Sequence, residues 1–243
     1  MFYSFRKKFL HRRHRRTDHY SVFRWRDLNL LLDTKDYVAR KILIGGGFEP
    51  DFLAAVEDAV ARRSPEIFVD VGAHFGLYAC VAASHGVAEI HSFEPNPRLA
   101  AFQRANFAMN GFSGIHVHEC ALGDLDADDR EFLVSPRSNA GLSKVGGAVP
   151  NQNWQSRRIS LRRLDGLLPH ADKSAVLKVD VEGGEQSFLA GAERFLRENR
   201  CVLFIEINDD LEKTSRQLGA MGYERTRAFA DNNYCFETRR DLP

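Results

Sequence analysis

The sequence predicts an α/β fold built on an open, mostly parallel sheet. Three observations carry this. Residues 67–71 (IFVDV) are apolar except for Asp70, and a turn holding Gly72 and Gly76 follows, then an apolar run over 77–83 at helical length. From residue 67 onward, strand-like and helix-like runs alternate. Each of five strand-like runs ends in or beside an acid: Asp70, Glu94, Asp124, Asp180 and Glu206. In a parallel sheet such ends share one edge, where open α/β sheets bind ligands.

The 243 residues suit one large domain with extensions, and 44% hydrophobic content with 18 Phe is ample for a core. Three segments are expected: a basic arm over 1–26, a helical cap over 27–66 and the main domain over 67–243. The net charge of +1 excludes nothing by itself, but residues 5–16 carry seven Lys/Arg and no acid. Phe2, Phe5 and Phe9 on one helical face, ringed by Arg6, Lys7, Lys8, Arg12 and Arg13, would suit an anionic membrane surface. The same charges would suit RNA phosphates, or the arm is simply solvated. No DNA partner is expected. No cleavable signal pattern and no spanning apolar run is present. The four cysteines form no C-x-x-C pair, so reduced thiols and a cytoplasmic address, peripheral to the membrane if the arm binds lipid, are the default.

Taken in order, Gly45-Gly46-Gly47 reads as a turn and residues 52–60 as an amphipathic helix packing across the sheet or over its ligand edge. Residues 88–93 read as the second strand, and Pro97 suits the first turn of a helix running to Met109. Residues 115–122 read as a third strand. Residues 131–134 and 158–161 look like an extra strand pair, and the Gly/Ser/Asn-rich stretch 138–153 between them like a functional lid. Residues 175–181 form the fourth strand, 186–198 a helix, 202–207 the fifth strand and 211–221 a helix. Residues 223–227 and 234–236 close the sheet.

The glycine turn departs from the dinucleotide pattern, because His74 occupies the place of the middle glycine. An acid before the turn repels a pyrophosphate and suits a ligand with an ammonium group, which points to S-adenosylmethionine rather than NAD. Glu94 follows the turn at about the 20-residue separation of an acid that accepts from ribose hydroxyls. Asp124 is placed to accept from an adenine amine, or serves a simple turn.

Four segments, in this order, resemble the FkbM-type methyltransferases: Asp70-Val71-Gly72-Ala73-His74-Phe75-Gly76, Phe93-Glu94-Pro95-Asn96-Pro97, Ala121-Leu122-Gly123-Asp124 and Leu177-Lys178-Val179-Asp180-Val181-Glu182-Gly183. The likeness spans about residues 65–210 and is most specific over 178–185 with 189–192. It implies a Rossmann-like class I methyltransferase fold, with a seven-stranded, mostly parallel sheet and helices on both faces. It implies S-adenosylmethionine as cofactor and O-methylation of a sugar, glycan or natural-product hydroxyl. By the same likeness Asp70, Gly72 and Gly76 line the methionine end, Glu94 holds the ribose, Asp124 lies near adenine and Asp180 beside the transferred methyl; His74, in the same turn, is a further candidate cofactor contact. His74 stands where the family usually has Asn, and Gly184 where Ala is common.

An alcohol acceptor must lose a proton as the new bond forms. Asp180 is the first choice for that role and Glu182 the second; Glu182 equally suits the start of the following helix. His74, His116 and His118 are alternatives. A divalent metal on Asp180, Glu182 or Glu206 is compatible with their oxygen donors, but the spacing does not demand one. Two other classes compete: an RNA methyltransferase served by the basic arm, and a scaffold with a degenerate cofactor pocket. The first lacks an N-P-P-Y-type motif, and the second is disfavoured by the full set of strand-end acids.

Overall fold

The computed structural model describes residues 19–239. The rest of the basic arm expected over 1–26 lies outside them. Its last part does not continue as an arm: β1 (Tyr20–Trp25) pairs antiparallel with β2 (Leu28–Asp33). The hairpin is anchored by its inner face. Trp25, Leu28, Leu30 and Leu32 are buried, and the Trp25 indole N–H donates to the Gly46 carbonyl at 2.6 Å. The segment 27–66 thus opens with a strand and then becomes helical, with α1 (Tyr37–Gly45) and α2 (Pro50–Arg63).

The main sheet has seven strands: β3 (Ile67–Val71), β4 (Glu89–Phe93), β5 (Ile115–His118), β10 (Ser174–Val179), β11 (Arg200–Glu206), β12 (Tyr223–Ala228) and β13 (Asn233–Thr238). Their order is β12-β13-β11-β10-β3-β4-β5. Only β13 runs against its neighbours. This is the expected mostly parallel architecture. Side chains alternate along each strand, so the sheet feeds two cores. Phe68, Val176, Val202 and Phe204 pack with α1, α2, α3 (Leu77–Ser84) and α4 (Pro97–Met109). Val69, Leu177, Leu203 and Ile205 pack on the other face with α6 (Glu185–Gly191), α7 (Glu193–Glu198) and α8 (Leu211–Ala220).

A second, four-stranded sheet holds β6 (Cys120–Leu122), β7 (Ala127–Val134), β8 (Lys144–Val145) and β9 (Gln155–Arg162), in the order β6-β9-β7-β8. This corrects the single third strand expected over 115–122. Phe93 pairs with His118, so beyond His118 the fifth strand has no partner left in β4, and residues 120–122 pair with β9 instead. The helix expected over 186–198 is also two helices, meeting at Ala192. There Gly191 presses on the turn after β6; a Cβ would lie 1.8 Å from the Gly123 carbonyl oxygen. A four-residue helix, α5 (Leu164–Leu167), precedes β10. All four cysteines are buried. Among the described residues no helix is long and apolar enough to cross a membrane.

Candidate functional site

A cavity of about 630 Å³ opens at the carboxyl edge of the main sheet. The glycine turn after β3 and the ends of β4, β10 and β11 form one side. Helix α1, the Gly47–Pro50 turn, the stretch 139–145 and the second sheet, through Leu122, Arg130, Phe132 and Leu161, border much of the rest. The segment expected as a cap and the loop expected as a lid therefore both reach this cavity.

Its polar centre is Lys178, which sequence reasoning missed. Lys178 is directly opposite Asp70 in the β10–β3 register, and its side chain is 6% exposed. The ammonium donates to the Gly72 carbonyl at 3.1 Å, lies 3.5 Å from Asp180 Oδ2 and sits 5.2 Å from the Tyr78 ring centre. Burial opposes its charge, but Asp180, Asp70, Glu49 and Glu206 outweigh burial and raise its pKa. The signal was present: a lysine in the middle of the apolar run Ala175-Val176-Leu177-Lys178-Val179 needs a buried partner. Glu49 was missed as well. It accepts from the Tyr78 hydroxyl at 3.1 Å and from Asn233 Nδ2 at 3.2 Å. It lies in irregular chain before Pro50, where no local pattern marks it.

Five carboxyl groups thus surround one ammonium, and burial raises the pKa of four of them. Burial pushes Asp70 up to about 6 against the attraction of Lys178. Burial, reinforced by Asp180, Glu206 and Glu185, pushes Glu182 up to about 8. Burial and then Asp180 raise Glu206, and burial raises Glu49. Asp180 Oδ1 is buried with no hydrogen-bond partner among the described residues.

The named residues do not all sit alike. Gly72, His74, Glu94, Asp124, Asp180, Glu182 and Glu206 line the cavity. Asp70 and Gly76 are not among the residues that line it. The Asp70 carboxylate is fully buried beneath the turn, where Oδ2 accepts from the Ala79 N–H at 3.1 Å in the first turn of α3. Gly76, at φ +77°, packs against the Phe107 ring, which a Cβ would approach to 2.8 Å. Gly72, at φ +69°, lets the turn cross the chain leaving β10; its Cβ would lie 1.8 Å from the Asp180 carbonyl oxygen.

Glu94 holds the turn from the next strand. Oε2 accepts from the His74 N–H at 2.9 Å and Oε1 from the Asn96 N–H at 2.8 Å. Burial pushes it up to about 7. His74 has φ +52°, a conformation in which Asn, Asp and His are enriched among non-glycine residues. Its Nε2 lies 3.6 Å from Oδ2 of Asp36. Asp36 caps α1 through Val38 N and Ala39 N, and it accepts from Ala140 N at 3.0 Å. One buried carboxylate thereby joins the cap, the lid and the glycine turn.

Asp124 lies at the rim, at the end of β6 rather than of a main-sheet strand, and accepts from the Ser187 hydroxyl at 2.8 Å. Glu182, at φ +50°, precedes α6 without capping it. His116 and His118 stand on β5 and do not line the cavity.

The Methyltransferase FkbM domain matches residues 70–230. A protein of Beauveria bassiana named Methyltransferase 1 is 25% identical over 166 residues, which cover 58% of this chain and 64% of that protein. Protein-L-isoaspartate O-methyltransferase 2 of Marinobacter nauticus is 29% identical over 141 residues, covering 58% of this chain and 56% of that protein. The match thus spans less than two thirds of either relative. A solved precorrin-6y C5,15-methyltransferase from Geobacter metallireducens is similar at a TM-score of 0.44 and 17% identity, over 76% of this chain and 84% of that one.

Proposed function

This chain belongs to the FkbM methyltransferase family, and from that premise we propose that it is an S-adenosylmethionine-dependent O-methyltransferase acting on a hydroxyl of a sugar, glycan or natural product. The observation that carries the reading is the Asp180 carboxylate. It stands at the cavity wall beside the glycine turn, with one oxygen near Lys178 and the other buried without a partner among the described residues.

The residues present fit the cofactor. The cavity volume lies within the roughly 300–1,000 Å³ of small-molecule sites. Gly72 lets the turn pass against the Asp180 carbonyl, which keeps Asp180 at the cavity wall. Each Glu94 oxygen accepts one backbone N–H and keeps a second lone pair for a ribose hydroxyl. In this arrangement Gly72 and His74 would hold the methionine end, Glu94 the ribose and Asp124 the adenine amine. Asp70 and Gly76 would act from behind, by shaping the turn. When bound, S-adenosylmethionine supplies a methyl group activated on a sulfonium.

The chain's own residues then position the acceptor and take its proton. Asp180 is the proton acceptor, and the Lys178 ammonium, 3.5 Å away, orients its carboxylate. Glu182, with a pKa of about 8, is largely protonated at neutral pH and can donate a hydrogen bond to an acceptor oxygen. The clustered carboxyl groups of Glu49, Asp180, Glu182 and Glu206 offer hydrogen-bond partners that suit a neutral polyol.

The test is transfer of isotopically labelled methyl from S-adenosylmethionine to a panel of glycans and polyols. Label retained after mild base marks an ether and supports the reading. Label released by base marks an ester, and transfer only to RNA marks another acceptor; either result would replace the hydroxyl assignment.

A further inference from the structure

The opposite edge of the sheet carries a second cluster of titratable side chains that the proposed methyl transfer does not use. Glu89 opens β4, and two residues on, His91 Nε2 lies 2.9 Å from Glu89 Oε1. His170, from the loop between α5 and β10, brings its own Nε2 to 3.0 Å from the same Oε1. One ligand atom from each of the three lies within 4.8 Å of the others. We propose that Glu89, His91 and His170 form a site for a divalent transition-metal cation of the zinc class, at the amino-terminal edge of the sheet and separate from the cavity.

The donor set suits such an ion. Two imidazole nitrogens and one carboxylate oxygen are a known three-ligand set for Zn²⁺, with water completing the coordination. Imidazole favours Zn²⁺, Ni²⁺ and Cu²⁺ over Ca²⁺ or Mg²⁺, which take oxygen ligands. Tetrahedral bonds of about 2.0–2.1 Å place ligand atoms about 3.3–3.4 Å apart. The two N–O pairs here need to open by only a few tenths of an ångström.

The surroundings are also those of a held ligand. His91 Nδ1 lies 3.0 Å from His118 Nε2, so the ring nitrogen turned away from Glu89 has a partner that can fix its tautomer. His91 is further held by stacking, at 4.9 Å from the His116 ring and 5.3 Å from the His118 ring. The His118 ring in turn stacks on Phe93 at 4.4 Å. The His170 loop is pinned from the far side, since its carbonyl accepts from Asn199 Nδ2 at 2.9 Å and Asp172 N donates to the Glu198 carbonyl at 2.9 Å. Glu89 and His170 remain about one third exposed, at 37% and 29%, which gives an ion a way in and leaves room for water. Four residue steps separate Glu89 from Phe93, roughly 13 Å at about 3.3 Å per residue, so the site stands clear of the carboxyl-edge cavity. A bound ion would tie the His170 loop to β4.

Calorimetric titration of the full chain with ZnCl₂, and its absorption spectrum with CoCl₂, test the proposal. The expected result is one saturable equivalent and a cobalt d–d spectrum from mixed nitrogen and oxygen ligands. Glu89→Gln and His170→Asn, each checked for folding by circular dichroism, should each weaken binding at least tenfold. Asp180→Asn and Glu206→Gln, on the cavity side, should leave metal affinity unchanged. No saturable binding would show that the cluster is only a hydrogen-bonded His–Glu–His network. Binding that survives both Glu89→Gln and His170→Asn, or that falls with the cavity variants instead, would equally overturn the assignment.

Discussion

Lys178 and Asp180 stand on either side of the point where β10 ends, with the ammonium 3.5 Å from the carboxylate Oδ2. The pair matters because the buried Lys178 ammonium stands among five carboxyl groups, four of which burial pushes toward neutrality. Lys178→Met keeps length and removes the charge. Truncating one partner of a buried charge network costs about 3–5 kcal/mol. The loss should be largest at pH 8, where Asp70 is ionised and Glu182 about half so, and clearly smaller at pH 5.5, where both are mostly protonated. Denaturant unfolding at the two pH values checks this; equal losses would contradict the balancing role.

The parent chain should itself become less stable as pH rises. Asp70, Glu94 and Glu182 titrate in the folded protein at about 6, 7 and 8, above their ordinary values of 3.8, 4.5 and 4.5. A carboxyl with a raised folded pKa binds its proton more tightly in the native state, so its contribution is complete below the unfolded value and is lost as pH passes the folded one. Asp36 and Glu57 are shifted downward, so their contribution is lost only in acid, below their ordinary values. The melting temperature should therefore peak near pH 5 and fall between about pH 5 and pH 8. A rise over that interval would contradict the shifts.

Gly72→Ala tests the crossing of the turn over β10. The new Cβ would meet the Asp180 carbonyl oxygen at 1.8 Å, and φ is +69°. A left-handed non-glycine residue costs of order 1–3 kcal/mol before any clash is added. A loss of at least about 2 kcal/mol in unfolding free energy is expected, with a displaced Asp180. Unchanged stability would mean that the two segments lie farther apart.

Glu94→Gln tests the ribose contact with little change of shape. The amide keeps one acceptor oxygen, so one of the two bonds to His74 N and Asn96 N can persist. A charge-assisted hydrogen bond contributes about 1.5–3 kcal/mol, and S-adenosylmethionine affinity should fall about tenfold or more by calorimetry. Unaltered affinity would confine Glu94 to holding the turn.

Much of this site could be read from the chain because it is local. A strand, a glycine turn and a helix over 67–84 mark the ligand edge, and strand-end acids place Glu94, Asp180 and Glu206 there. Asp70 misled because strand position alone does not tell a carboxylate on the cavity wall from one turned beneath the turn toward Ala79 N. Asp124 sits at the edge through a second sheet, which periodicity could not separate from β5. Asp36 and Glu49 act only through tertiary approach, from irregular chain far in sequence from His74 and Tyr78, which they meet. The hairpin over 20–33 was hidden by Arg24, Arg26 and Asp27 at its turn, which make a polar stretch of what is, on its inner face, a buried strand pair.

The most direct test of the central claim is Asp180→Asn, assayed on a verified hydroxyl acceptor with cofactor affinity measured in parallel. The change keeps size and one acceptor oxygen but removes the basic charge. General-base catalysis contributes about 10²–10⁴-fold, so turnover should fall by that much while the S-adenosylmethionine dissociation constant moves far less. Turnover near that of the parent, in a folded variant that still binds cofactor, would contradict the assignment of the acceptor proton to Asp180.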